Sequence, residues 1–422
     1  MKLSKFQAPK GVSEYFPPDS NQFEYVRDLL LQSAKLAGYN LIELPVFEDT
    51  EVFTRGVGES TDVVSKEMYT FEDRGGRSIT LRPEGTAGVM RAVIEHNLDK
   101  GQLPVKLFYS GAFFRAERPQ AGRYRQFYQV GIEAIGYSDP EIDVEVISVA
   151  DSAFKKLGLK QYVLNITSLG DSKSRDAHRK DLVKFISTLE LDQASAERAK
   201  LNPLRLFDDK RDEIKSKMRQ APVLLDYLSS ESSKHFEKVK ELLDSVKIAY
   251  QINPRMVRGL DYYTGTTFEF DHPLLGAQSG IGGGGRYDGL MGSLGGADVS
   301  GIGFGLGVDR VLMACKAEKT LPLDINPLEL FIAPITDEAK SFGFKLLSQL
   351  RDAGIKCDMA YGDRGLKGAM KAADKSGATY ALVIGDDEIA SGTCELKIMS
   401  SGNVITSTLT SSDLIMKLGT KK

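Results

Sequence analysis

Residues 105–136 read VKLFYSGAFFRAERPQAGRYRQFYQVGIEAIG, two apolar runs around an arginine-rich middle. Strand-type alternation in both runs predicts an antiparallel hairpin whose long loop carries Arg115, Arg118, Arg123 and Arg125. On the second strand, a period of two puts Gln129, Gly131 and Glu133 on one face. Tyr128, Val130, Ile132 and Ala134 take the other. Polar side chains are costly to bury unpaired, so the first face is expected to floor a polar pocket. Planar guanidinium groups bind phosphate oxygens two at a time, so the four arginines suit a polyanion. On charge alone, a solvated loop fits as well.

Three further polar clusters flank this hairpin. In TLRPEGTAGVMRA (80–92), Glu84 follows Pro83 in a turn, and Gly85 and Thr86 lead into a helix. Glu84 and Thr86 either meet an ammonium group or cap that helix. In RGLDYYTGTTFEF (258–270), alternation groups Tyr263, Thr267 and Glu269, with Tyr262 opposite and Arg258 and Asp261 at the strand's entrance. A surface salt bridge for Arg258 and simple packing for the tyrosines are the plain alternatives. Last come GIGGGGRYDGL (280–290) and GIGFGLGVDRVLM (301–313). Gly280, Gly282 and Gly285 match a loose GxGxxG, but no strand–turn–helix unit surrounds them, which argues against a dinucleotide site. Gly301, Gly303, Gly305 and Gly307 alternate along a strand that runs into a helix bearing Arg310. That arrangement leaves a bed for a flat base, with an arginine to cover it or reach its phosphates.

Glycine usage divides the rest of the chain. The 80 residues from Asp171 to Tyr250 contain none, and 17 basic and 15 acidic side chains with leucines at helical spacing mark the block as mostly helix. From Gly259 to Gly307, by contrast, 16 of the 41 glycines fall within 49 residues, a segment of tight turns and close backbone approach. From about Pro327, strands alternate with helices, as in LELFIAPI, IKCDMAY and TYALVIG, and predict a small α/β domain. Near the start, Phe23, Val26, Leu29 and Leu30 form a helical stripe ending before Gly38. LIELPVF then reads as one strand with Pro45 at an edge, bulge or end.

The 422 residues, 41% hydrophobic and 27% charged, exclude a disordered or coiled-coil chain. A net charge of −3 excludes a general polybasic surface, though not a local basic patch. Cys315, Cys357 and Cys394 form no CxxC pair, so a reducing, cytoplasmic setting is expected. No apolar run reaches membrane-spanning length, and MKLSKFQAPKG lacks the apolar core of a signal peptide. No membrane association is therefore expected. His96, His178, His235 and His272 have no metal-ligand spacing, and there is no P-loop or Ser/His/Asp arrangement. Phosphate positioning and charge stabilisation are expected to carry the chemistry.

Over essentially its whole length the chain resembles the histidyl-tRNA synthetases, a family of class II aminoacyl-tRNA synthetases. The helix and strand ending near Pro45 look like the class's first motif, at the dimer interface. FRAERPQAGRYRQFYQVGIEAIG looks like the second and GFGLGVDRVL like the third. RGLDYYTGTTFEF and GGGRYDGL resemble the family's own two segments, and GLKGAMKAADKSGATYALVIG its anticodon domain. The resemblance implies an α+β class II catalytic core, an antiparallel sheet flanked by helices, with a helical insertion and a C-terminal α/β anticodon-binding domain. The parts would be 1–170 and 251–326 (core), 171–250 (insertion) and 327–422 (anticodon domain).

By the same resemblance, the substrates are L-histidine, ATP with Mg²⁺ and tRNA(His), and the protein is a homodimer with no tightly bound cofactor or structural metal. Arg115 would bind the ATP α-phosphate and the histidine carboxylate, Arg123 the outer phosphates, and Arg310 the adenine and γ-phosphate. Arg258 would neutralise charge at the α-phosphate, so Arg258 and Arg115 are the expected catalytic residues. Glu84, Thr86 and Gln129 would hold the α-amino group, with Gly85 also among the histidine-binding residues. Glu133 and Tyr263 would bind the imidazole nitrogens, with Tyr262 and Tyr287 shaping the pocket. Arg118 and Gln120 would meet the tRNA acceptor end, and the glycine-free block would clamp the acceptor stem. Asp309 stands where a glutamate is more usual, a shorter arm expected to shift a neighbouring contact. Arg258 and the α/β tail set the chain apart from the family's catalytically silent, histidine-binding regulatory relatives.

Overall fold

The computed structural model describes residues 6–58, 61–209, 211–322, 325, 327–362 and 364–419. They form two compact units, 1–321 and 322–422. The first begins with α1 (Asp19–Leu36), β1 (Asn40–Leu41), β2 (Phe47–Asp49), α2 (Thr50–Val57), β3 (Tyr69–Glu72), β4 (Ser78–Leu81) and α3 (Thr86–Glu95). The hairpin β5 (Val105–Phe114) and β6 (Gln126–Ile135) follows, then α4 (Pro140–Lys156) and β7 (Val163–Ser168). The glycine-free block holds α5 (Ser172–Ile186), α6 (Gln193–Leu201), α7 (Asp212–Lys217) and α8 (Ser230–Ser245). The unit ends with β8 (Gln251–Ile252), β9 (Thr264–Asp271), β10 (Gly280–Arg286), α9 (Leu290–Ser293), β11 (Gly301–Gly307) and α10 (Val308–Glu318).

Among the described residues the main sheet has the order β1-β5-β6-β11-β10-β9-β7-β8. Its central strands are all antiparallel; only the two-residue edge strands β1 and β8 pair parallel. The core lies on one face. There Val130, Ile132 and Ala134 of β6 pack with Val26 and Leu30 of α1, Ile147 of α4 and Val311 of α10. Burial of this apolar face, at about 25 cal/mol per Å², is what fixes which way β6 faces. The polar face of β6 is left for the cavity described below.

The single strand expected for LIELPVF is instead two short strands in different sheets. Asn40 and Leu41 pair with β5, while Phe47–Asp49 pair with β4 in a separate sheet of order β2-β4-β3. Pro45 lacks a backbone N–H and falls between them, where no ladder hydrogen bond is lost. The carbonyls of Leu44 and Pro45 accept bonds from Arg82 Nη1 instead.

The glycine-free block is helical and divided in its packing. Phe236, Val239 and Leu243 of α8 join the main core. Leu182, Leu206, Ile214, Met218 and Ala221 make a small core of their own. The second unit carries β12 (Leu330–Pro334), α11 (Asp337–Asp352), β13 (Cys357–Met359), α12 (Leu366–Ser376), β14 (Tyr380–Ile384), α13 (Asp386–Ser391), β15 (Thr393–Ile398), β16 (Val404–Thr408) and α14 (Ser411–Leu418). Its sheet runs β13-β12-β14-β15-β16, parallel across β13, β12 and β14 and antiparallel beyond. No helix among the described residues is long and apolar enough to cross a membrane.

Candidate active site

Strand register builds the floor of the site. Tyr109 of β5 faces Gly131 of β6, Gly131 faces Gly305 of β11, Gly305 faces Gly283 of β10, and Gly283 faces Glu269 of β9. Residues opposite one another in a sheet share a face. Three glycines side by side therefore leave a bare strip of backbone between a tyrosine and a glutamate. Over this strip opens a cavity of about 240 Å³. Its lining includes Glu84, Gly85, Thr86, Arg115, Arg123, Gln129, Arg258, Tyr262, Tyr263, Tyr287 and Arg310. Segments read separately from the sequence thus meet in one place.

Behind one end, outside the lining itself, lies a buried carboxyl surrounded by the hydroxyls of lining residues. Glu133 is fully buried. It accepts from Thr86 Oγ1 at 2.8 Å, from Tyr287 Oη at 2.7 Å and from Tyr109 Oη at 3.4 Å. Burial pushes its carboxyl up to about 8, against the pull of these hydroxyls. Glu84 is held at the start of α3 by the amides of Thr86 and Ala87, at 2.8 and 3.0 Å, and Tyr262 Oη reaches it at 3.3 Å. Glu84 thus caps the helix, as one of its two readings has it, and it also lines the cavity. Burial also raises its carboxyl, and it raises the Tyr109, Tyr262 and Tyr287 phenols far enough to keep them neutral donors.

The other end is cationic. Arg115 donates through Nε to the Pro83 carbonyl at 2.9 Å and lies over the Phe127 ring. Arg310 is braced by the carbonyls of Gly122 and Gly280, each at 2.7 Å. Arg123 pairs with Glu117, and with Glu67 at 3.6 Å. Arg258 meets Glu269 at 3.1 Å. Burial lowers the guanidinium of Arg115, and burial and then Arg123 lower that of Arg310. Cations that depress one another in a partly desolvated cleft are relieved by an incoming anion.

Several expectations are corrected here. Tyr262 does not point away from Tyr263; both line the cavity, with ring centroids 4.8 Å apart. The strand begins only at Thr264, and a register shift against Gly285 and Arg286, with Gly265 at φ 42°, breaks the alternation. Thr267 is fully buried outside the cavity lining. The glycines of β11 are not one open bed. A Cβ at Gly301 would strike Tyr287, one at Gly303 would strike Glu133, and one at Gly305 would approach Gln129 at 3.3 Å. Their absent side chains make room for pocket residues, and the bare strip crosses strands instead of following one.

Arg118 and Gln120 lie outside the cavity, in a surface hollow with Lys66 and Glu67 that also borders Arg123. Asp309 accepts from Tyr15 Oη at 2.6 Å and from the Tyr128 amide at 2.8 Å. It fastens the N-terminal segment to β6 beside Arg310. Sequence reasoning missed Tyr109 and Glu117. Tyr109 was recoverable by laying the hairpin strands opposite one another, since it covers Gly131. Glu117 carried no signal beyond its place in the basic loop. Among the described residues no group of three or more His, Cys, Asp and Glu side chains is arranged to hold a metal ion.

An antiparallel sheet backed by helices, with an arginine-lined cleft on its polar face beside a carboxyl pocket, defines a class II aminoacyl-tRNA synthetase core. The histidyl-tRNA synthetase family model matches residues 11–311, and the anticodon-binding domain model matches 329–419. The histidine–tRNA ligase of Rhodococcus opacus (strain B4) is 59% identical over 99% of this chain and 98% of its own. That of Mycobacterium marinum is 59% identical over 99% and 100%. The crystal structure of apo S. aureus histidyl-tRNA synthetase superposes with a TM-score of 0.81 at 38% identity, covering 98% of this chain and 100% of that one. The chain belongs to the histidyl-tRNA synthetase family.

Proposed function

We propose that the cavity activates L-histidine with ATP, taken as its magnesium complex, and passes the histidyl group to the 3′ end of tRNA(His): the protein is a histidine–tRNA ligase. The observation that carries this reading is the union, in one cavity, of a small carboxyl–tyrosine pocket with a cleft lined by Arg115, Arg258 and Arg310. Glu133 and Tyr263 take the two imidazole nitrogens, with Tyr262 and Tyr287 as walls. Glu84, Thr86 and Gln129 take the α-amino group, with Gly85 also among the histidine-binding residues. A substrate lacking either ring nitrogen leaves a buried polar group unpaired, which discriminates more sharply than size alone.

Arg115 holds the histidine carboxylate against the α-phosphate, Arg123 the outer phosphates, and Arg310 the adenine and γ-phosphate. The carboxylate attacks the α-phosphorus in line and pyrophosphate leaves. The step needs no general base, so alignment and the positive charge of Arg258 and Arg115 carry the rate. The acyl group of the resulting histidyl-adenylate then moves to the terminal ribose hydroxyl of the tRNA. Arg118 and Gln120, outside the cavity but on the same loop, meet the acceptor end. Residues 171–250 act as an insertion against the acceptor stem, between core parts 1–170 and 251–326, and the C-terminal domain from 327 reads the anticodon. Two copies pair through the edge near β1 and β2, where Leu41, Val46, Phe47 and Phe71 are exposed. The cytoplasm is the place of action.

Isotope exchange of pyrophosphate into ATP, run with each of the twenty amino acids, tests the reading. Histidine alone should support exchange. Exchange supported by another amino acid and not by histidine refutes it.

A further inference from the structure

Arg258 is placed by a stretch of chain that does not by itself fix a side chain. From Asn253 to Tyr263 there is no helix or strand. A long guanidinium arm on such a segment has many rotamers, and a group that must meet a transferring phosphorus needs one of them. Glu269 supplies the constraint. It sits in mid-β9, paired to Asn165 of β7 on one side and Gly283 of β10 on the other, so its backbone is held by two ladders. Its Oε2 is 3.1 Å from Arg258 Nη1.

The neighbouring strand is cut to fit this pair. A Cβ built on Gly283 would lie 2.6 Å from the Phe268 carbonyl oxygen and 3.0 Å from both Nη atoms of Arg258. One built on Gly280 would lie 2.7 Å from Glu269 Oε1. The guanidinium therefore lies against bare backbone at Gly283, and the carboxylate occupies the space that Gly280 leaves. Tyr263 closes the far side, its ring centroid 5.4 Å from Arg258 Cζ. Nε of Arg258 is buried with no hydrogen-bond partner among the described residues, so the guanidinium is oriented through its Nη groups, by the Glu269 carboxylate and by a hydrogen bond with Tyr263. Burial works against the charge of Arg258, yet Glu269 and Tyr263 outweigh it and hold the guanidinium above its ordinary value.

We propose that Glu269 is a positioning residue: its carboxylate holds the Arg258 guanidinium flat over Gly283, aimed at the α-phosphate, in a slot that Gly280 and Gly283 keep open. The inference rests on the reading of Arg258 given above. Glu269 acts through Arg258 and not on the substrate. Its loss therefore lowers the rate of adenylate formation and leaves the histidine pocket, which is built on Glu133 and Glu84, intact.

The test is ATP–pyrophosphate exchange by the full-length protein, comparing the parent with Arg258→Ala, Glu269→Gln, Glu269→Asp and Gly280→Ala. Glu269→Gln keeps the shape and removes the charge. Gly280→Ala keeps every charge and pushes the carboxylate aside. Both are expected to lower kcat about a hundredfold, the scale of a misplacement near 1 Å, with KM for histidine within about twofold of the parent. Glu269→Asp, which retains the charge on a shorter arm, should fall between them and the parent. A slow Arg258→Ala beside parental kcat in both Glu269→Gln and Gly280→Ala overturns the positioning role alone. A parental rate in Arg258→Ala overturns both that role and the reading beneath it. A rise in KM for histidine equal to the fall in kcat, in Glu269→Gln, also overturns it, because the loss would then lie in the pocket.

Discussion

Replacing Glu133 by Gln removes a fully buried ionisable group behind the closed end of the cavity while preserving its shape. In the folded chain this carboxyl holds its proton up to about 8, and its ordinary value is 4.5. Below pH 4.5 folded and unfolded chains both carry the proton, and Glu133 makes no pH-dependent contribution. Between pH 4.5 and 8 the unfolded chain has released it and the folded chain has not. Each pH unit in that window therefore lowers stability by about 1.4 kcal/mol, roughly 5 kcal/mol across it. Above pH 8 both states are ionised and the cost stays constant.

Glutamine, neutral throughout, escapes this cost. Its carboxamide still accepts from one hydroxyl, and a second hydroxyl can turn to accept from its amide. The variant should thus be close to the parent at pH 5 and several kcal/mol more stable at pH 8. Denaturant titration followed by far-UV circular dichroism measures this; the chain has no tryptophan to serve as a fluorescence probe. Parallel stability–pH curves for the two proteins would refute the claim that burial keeps Glu133 protonated. The protonated-carboxyl infrared band, present in the parent at pH 7 and missing from the variant, is an independent check.

Three other perturbations follow from the same geometry. Gly303→Ala drives a methyl group into Glu133 and the Ile132 carbonyl oxygen. It should cost about 1–3 kcal/mol as an overpacked core position and weaken histidine binding, and parental affinity in calorimetry would contradict the crowding. Arg286→Met strips the guanidinium from Asp143, which is fully buried, lies 2.6 Å from Arg286 Nη2 and keeps only His235 Nε2, at 2.8 Å from its other oxygen. The expected loss is about 3–5 kcal/mol in denaturant titrations, partly recovered when Asp143→Asn is added, and no recovery would show that the charge is not the cause. Removing residues 322–422, a unit with its own apolar core, should spare pyrophosphate exchange and cripple tRNA charging. Equal charging by the shortened chain would reject that division of labour.

The β5–β6 hairpin, the two faces of β6, the helical nature of the glycine-free block and the α/β tail were legible from residue order alone. Each depends on a periodicity of two or 3.6 within one segment, or on a run of residue types, and such signals are local. The resemblance added the assignment of arginines and tyrosines to one site. Legibility failed wherever one strand had to be set against another. Pairing register is fixed by contacts between residues far apart in the chain, and a shift of one residue turns every side chain to the other face. So the strip Gly131–Gly305–Gly283 and the pairing of Glu269 with Arg258 exist only once the strands are aligned, whereas the cover that Tyr109 places on Gly131 needs the register of the hairpin alone. The same cause split LIELPVF between two sheets and turned Tyr262 into the cavity beside Tyr263. Each outcome followed from which backbone N–H and C=O groups found partners across the sheet, and no property of the segment itself records that.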